Sequence, residues 1–88
     1  MKTSFVYILV CRDGTLYTGY TTNLKRRLDS HNKGRAAKYT RGRTPVRLAY
    51  YELCPDKGSA LSREYAIKQL SRQEKLDLVA NKCFSILD

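Results

Sequence analysis

One histidine and three cysteines are all that the 88 residues offer a soft metal. Cys11, Cys54 and Cys83 are odd in number and far apart, and no C-x-x-C pair occurs, so a Cys/His zinc set cannot be completed. They read as buried, reduced thiols of a cytosolic protein. Long apolar runs are also missing. The one from Phe5 to Cys11 has seven residues, against the ~20 needed to cross a bilayer. It follows Lys2 in the manner of a signal peptide, but Arg-Asp-Gly-Thr comes next instead of a small-residue cleavage site. A soluble, cytoplasmic protein with no membrane association is expected. There is no internal repeat and no linker, so residues 1–88 read as one domain. A chain this short buries roughly 60–65 % of its unfolded surface and holds one core.

Acidic residues are scarce as well, and that scarcity matters most. Seventeen Lys and Arg against eight Asp and Glu leave a net charge of +9 and a pI near 9.8. A polyanion is the first partner such a balance suggests, and nucleic acid the first polyanion. The competing reading is a cationic surface that keeps the protein in solution and binds nothing in particular.

Phe5 to Cys11 is rich in β-branched and aromatic residues and apolar on both faces, which predicts a central strand. Asp13-Gly14 suits a type I′ hairpin turn, and Thr15 to Tyr20 is the returning antiparallel strand. Tyr7 and Tyr17 lie on this hairpin; the sequence leaves open whether they share a face. Thr21 or Thr22 can cap a helix that ends near Lys33, with Gly34 as its stop. Leu24, Arg27, Leu28 and His31 share one arc of it, and Lys25, Arg26, Asp29 and Ser30 fill the rest. From Lys33 to Arg47 the chain is basic, with Lys33, Arg35, Lys38, Arg41, Arg43 and Arg47 and no acid. It reads as a loop with at most one or two helical turns. Its length and the interrupting Tyr39 suggest a backbone-binding surface, Tyr39 either stacking on a base or packing under the loop. Val46 to Leu53 is a third strand with Pro45 at its start. Asp56 or Ser59 opens a second long helix, on which Ala60, Leu61, Glu64, Ile67 and Lys68 cluster, so that Glu64 faces inward. Ser71 to Glu74 is a capping box that starts a third helix with Leu76, Val79 and Ala80 as its buried stripe. The tail from Cys83 adds a last strand or packs as coil. The order β-β-α-β-α-α predicts an α+β fold, a small three-stranded antiparallel sheet flanked by helices.

An inward arginine needs acceptors for five donors, and an inward carboxylate needs a partner or a metal. The plain solution is a salt bridge between Arg27 and Glu64. The sharper one is phosphodiester hydrolysis. There the substrate supplies the anion for Arg27, and Glu64 holds one Mg²⁺ or Mn²⁺, since magnesium takes only one or two carboxylates beside its waters. Water attacks phosphorus, metal and arginine meet the developing charge, and a tyrosine receives or relays the proton. Asp13 is used in a turn, Asp29 lies on the outer arc and Glu74 closes a cap, so little remains for a second metal.

Val-Tyr-Ile at 6–8, Tyr-Thr-Gly at 17–19, Asn-Leu-Lys-Arg-Arg-Leu-Asp-Ser-His at 23–31 and the Ala-x-x-x-Glu ending at Glu64 resemble the GIY-YIG nuclease family. The likeness runs from about residue 3 to 80. From His31 to Pro45 the pattern H-N-K-G…A…T…R-x-P looks like that of the branched-DNA-cutting nuclease subunits and the small bacterial proteins related to them. The resemblance implies a metal-dependent DNA endonuclease, in repair or recombination, acting on branched or nicked DNA. Tyr7 and Tyr17 then match the two motif tyrosines, one a general base and the other a partner of water or phosphate, on the same face of the sheet. Arg27 matches the catalytic arginine, His31 a frequent active-site position, Glu64 the metal ligand, and Gly19 the glycine that lets the strand end pass close to the helix. The late asparagine of many relatives has Asn81 as its candidate. Val6 stands where isoleucine is usual. No targeting domain follows, so the expectation is that the basic loop or a protein partner supplies specificity, or that cleavage is weak and non-specific; a monomer or weak dimer is expected. The alternative is a non-catalytic nucleic-acid-binding or accessory module on the same fold.

Overall fold

The structure is a computed structural model and describes residues 3–82. Strands β1 (Ser4–Val10), β2 (Leu16–Thr21) and β3 (Arg47–Cys54) form one antiparallel sheet in the order β2-β1-β3. Helix α1 (Leu24–Asn32) follows β2, and a four-residue helix α2 (Lys38–Arg41) interrupts the basic loop. Helices α3 (Lys57–Lys68) and α4 (Arg72–Lys82) complete the described residues. The expected α+β order holds, with α2 as the one added element. The tail from Cys83 lies outside the described residues.

β1 is central because it is apolar on both faces, and each face has its own cover. Val6 and Ile8 point to α3 and pack with Tyr50, Ala60 and Ile67. Tyr7 and Leu9 point the other way, to Leu24 and Leu28 of α1, with Val46 and Cys11. Val6, Ile8, Leu9, Ala60 and Ile67 are at most 1 % exposed, and each large aliphatic among them contributes roughly 1.5–3 kcal/mol by leaving water. Opposite Ile8 and Leu9 the ladder jumps from Tyr50 to Leu48, leaving Ala49 as the extra residue of a β-bulge. The bulge reverses the alternation of β3 and turns Leu48 onto the α1 face, where it closes the core beneath the helix.

Local chemistry corrects several expectations. The hairpin is not a type I′ turn. Only Gly14 has positive φ, at 86°, and the Gly14 N–H donates to Cys11 O at 2.9 Å. Asp13 keeps negative φ because its carboxylate accepts from the Thr15 N–H and hydroxyl, which favours a three-residue loop. Neither Thr21 nor Thr22 caps α1. Asn23 does, its Oδ1 accepting from Arg26 N at 3.0 Å, while Thr21 Oγ1 accepts from the Asn23 N–H. Gly34 does stop the helix, at φ 75°. α3 opens at Asp56, whose Oδ1 accepts from Ser59 N. The Ser71–Glu74 capping box is reciprocal, as its sequence predicts. On α4, however, Leu78 and Val79 pack on the core while Leu76 and Ala80 are exposed. On α3, Leu61 is 41 % exposed rather than inside.

Cys11 and Cys54 are buried free thiols, one in each apolar cluster, so the sheet separates them. No helix among the described residues is long and apolar enough to cross a membrane.

Candidate active site

The two hairpin tyrosines do share a face. Tyr7 pairs with Gly19 and Leu9 with Tyr17, so Tyr7 and Tyr17 sit diagonally, ring centroids 6.4 Å apart. His31 comes down onto both from the last turn of α1. Its ring lies 5.9 Å from that of Tyr7 and 5.1 Å from that of Tyr17. Tyr7 is 1 % exposed and His31 not at all, and the Tyr7 hydroxyl meets His31 Nε2 at 2.9 Å. The other ring nitrogen, Nδ1, lies 2.8 Å from Thr40 Oγ1, which donates to Ala37 O at 3.2 Å.

A Cβ at Gly19 would stand 2.6 Å from the Tyr7 hydroxyl oxygen, 2.7 Å from Cζ and 3.1 Å from Tyr17 Cε2. The absent side chain makes room for the two phenols.

Burial raises the Tyr7 pKa most, and the neighbouring Tyr17 adds to it. The Arg27 guanidinium beside the phenol works in the opposite direction, while the Glu64 carboxylate raises it further. His31 is held below its ordinary value by burial first and by the charge of Arg27 second. Arg27 is therefore electrostatically joined to both buried groups. It forms no ion pair with Glu64 among the described residues, so the plain salt-bridge reading fails. Glu64 instead holds Lys68, one turn along α3, at 3.1 Å. Its side chain is 18 % exposed rather than enclosed by apolar neighbours.

A groove of about 420 Å³ meets this cluster through Arg27 alone; Tyr7, Tyr17, His31 and Glu64 do not line it. Arg27 belongs to its wall, together with Thr22, Asn23, Arg26, Ser30 and Arg35. No carboxylate lines it, and none of its three arginines is in an ion pair among the described residues. Arg26 was expected on the outer arc of α1. It reaches the groove because the chain after Gly34 folds back along that arc, with Arg35 N donating to Ser30 O at 2.9 Å. The rest of the basic loop divides. Lys33 is taken by Asp29 and Arg43 by Asp13. Tyr39 packs on Tyr17 at 5.8 Å with the Arg43 guanidinium 4.4 Å above its ring, so it lies under the loop although 42 % exposed. Lys38, Arg41 and Arg47 face solvent. Asn81 is exposed on α4.

Sequence reasoning missed two residues. Arg26 was passed over because a helical wheel cannot see a loop that returns. Thr40 stood in the His31-to-Pro45 pattern without a role; that position was its signal, and its burial shows only in the fold.

One carboxylate oxygen-donor group suits Mg²⁺ or Mn²⁺, which keep most of their waters. Among the described residues no cluster of three His, Cys, Asp or Glu offers a protein cage. The i,i+4 pair with Lys68 is worth about 0.3–0.5 kcal/mol, too little to keep a divalent cation from Glu64. The donor set fits such an ion.

Comparison with known proteins gives the chain its family. The chain is 54 % identical over 79 residues to UPF0213 protein CPE1444 of Clostridium perfringens, covering 90 % of this chain and 85 % of that one. It is 59 % identical over 70 residues to a UPF0213 protein of Halobacterium salinarum, covering 80 % and 91 %. The solution NMR structure of UPF0213 protein BH0048 from Bacillus halodurans superimposes with a TM-score of 0.60 at 50 % identity, over 91 % of this chain and 85 % of that one. The sequence model of the GIY-YIG catalytic domain matches residues 3–77, and the chain belongs to that family.

Proposed function

We propose that this protein is a metal-dependent endonuclease that hydrolyses DNA phosphodiester bonds, acting on branched or nicked DNA. The observation that carries this reading is the meeting of the buried Tyr7–His31 pair with Arg27, which no acid among the described residues neutralises, at the wall of a groove. A core packed only for stability would pair that arginine. A groove that receives a polyanion leaves it free.

In this reading the scissile phosphate lies against Arg27, whose planar donors hold two of its oxygens. Arg26 and Arg35 hold the neighbouring phosphates along the groove. Glu64 would hold Mg²⁺ or Mn²⁺, which supplies positive charge against the charge developing on the phosphate oxygens. Tyr7 and Tyr17 border the position of the attacking water. Burial disfavours a standing Tyr7 phenolate, so Tyr7 acts by relay. The water O–H breaks, its proton passes to the Tyr7 oxygen, and the Tyr7 proton passes to His31 Nε2. The new P–O bond forms as the bond to the leaving sugar oxygen breaks, and that oxygen takes a proton from solvent water in the open groove.

The test is a panel of plasmid, linear, flap and four-way-junction DNA with Mg²⁺ or Mn²⁺, run beside Glu64→Ala. The variant is expected to lose metal-dependent cleavage and keep its DNA affinity. Cleavage that survives in the purified variant removes the assignment.

A further inference from the structure

We propose that Thr40 is a positioning residue: its hydroxyl fixes His31 in the Nδ1–H tautomer, so that Nε2 faces Tyr7 as a bare acceptor. The role in turnover rests on the relay above; the tautomer itself does not.

The argument is one of counting hydrogens. A threonine hydroxyl has one. Thr40 Oγ1 donates it to Ala37 O at 3.2 Å, so at 2.8 Å from His31 Nδ1 it acts as acceptor. Nδ1 therefore carries the imidazole hydrogen. A neutral imidazole has only one, which leaves Nε2 a lone pair to receive the Tyr7 O–H at 2.9 Å. Arg27, a pure donor, stands beside the phenol oxygen and favours the same direction. The opposite network reverses every bond and gives up the one from Thr40 to Ala37 O. That bond is worth about 0.5–1.5 kcal/mol, or roughly 2- to 13-fold in tautomer ratio. Neither Thr40 nor His31 has exposed surface, so water does not compete for the Thr40 hydroxyl hydrogen.

Only one of the two tautomers can take part in the relay. With Nδ1–H, His31 accepts the proton that Tyr7 passes on, and the resulting imidazolium keeps Nδ1–H on Thr40. With Nε2–H it is already a donor to Tyr7 and accepts nothing from it. α2 thus contributes to the reaction although it touches no substrate. It holds one hydroxyl against the far side of the ring.

Long-range ¹H–¹⁵N correlation spectra of the labelled protein, without DNA or metal, read the tautomer directly. Wild type and Thr40→Ser are expected to show Nδ1 protonated and Nε2 bare. Thr40→Val, which keeps the shape and loses the hydroxyl, is expected to shift His31 toward Nε2–H. Its kcat for DNA cleavage should fall at least about ten-fold, the low side of the range for a lost acid–base contribution, with KM unchanged, and Thr40→Ser should restore it. An Nε2–H signal in wild type overturns the proposal, whether or not the valine variant folds. So does a folded Thr40→Val protein with the wild-type tautomer and kcat. The assigned tautomer in a protein that cuts no DNA would leave the positioning intact and remove the nuclease reading instead.

Discussion

Gly19→Ala isolates the claim that the two phenols are held in place by an absent side chain. The added methyl would fall 2.6 Å from the Tyr7 hydroxyl oxygen, well inside contact distance, with Tyr17 Cε2 at 3.1 Å. Neither obvious escape is open. Gly19 pairs with Tyr7 itself, so the ladder fixes the spacing of the two backbones. The ring is buried to 1 % and tied to His31. Overpacking of this kind costs about 1–3 kcal/mol. Gly19 does not adopt positive φ, so alanine regains about 0.4–1 kcal/mol from the less free unfolded chain. The net loss is about 1–2 kcal/mol, a drop in Tm of roughly 5–15 °C for a domain of this size. The larger effect falls on cleavage. Displacing the phenol by the better part of an ångström separates it from His31 and from the water it serves, and such errors reach about 10²-fold in rate. Thermal melts and single-turnover cleavage with Mg²⁺ measure the two. An alanine variant that melts with wild type and cuts at its rate would refute the account of Tyr7 and Gly19 together.

Two further outcomes follow from the same contacts. Lys68→Met frees Glu64 from its 3.1 Å partner, and the ~0.3–0.5 kcal/mol of such a pair predicts half-maximal cleavage at about two-fold lower Mg²⁺; a raised metal requirement would contradict it. His31 has its pKa lowered by burial and then by Arg27, so below its unfolded value of ~6.5 the unfolded chain binds more protons than the folded one. Stability is then full above that pH and declines as pH falls toward the lower folded value, as urea melts at several pH values between about 7.5 and 5 should record. His31→Asn should flatten that slope, because Asp13 and Asp56, whose pKa values are lowered too, titrate only at more acid pH.

The elements were legible because their signals are local. β1 shows itself by being apolar on both faces, α1 by its i, i+3, i+4 spacing, and α4 by a capping box that forms bond for bond. What the sequence concealed depends on the return of distant chain. The sequence offers Thr21 or Thr22 as the cap, yet Asn23, a stronger capping residue, takes the role while Thr21 turns its oxygen to the Asn23 N–H. Leu61 and Leu76 have the periodicity of core residues, but the sheet is only three strands wide and ends before it reaches them. Their neighbours Ala60, Ile67, Leu78 and Val79 use what cover there is. At the site, residue spacing brought Tyr7, Tyr17, Arg27 and His31 into view, and the resemblance to a known family supplied the common face of the tyrosines. The groove stayed hidden, since it forms only when residues after Gly34 fold back along α1.

The division of the site into a dry half and a wet half gives Arg27 more than a binding role. Tyr7, His31 and Thr40 are sealed, while the groove side is open to solvent. In the sealed half a single guanidinium acts strongly, and it acts in opposite senses on the two ends of the relay. It favours a negative Tyr7 and disfavours a positive His31. Without substrate, burial first and Arg27 second disfavour a protonated His31, in keeping with the arrangement the hydrogen bonds require. A phosphate laid against Arg27 offsets that charge, and the obstacle to a protonated His31 weakens as the scissile bond arrives. In the proposed reaction the same arginine would hold the anion and couple its arrival to the readiness of the proton acceptor. Such coupling needs Arg27 to have no carboxylate partner of its own, which is what the ion pair of Glu64 with Lys68 leaves it.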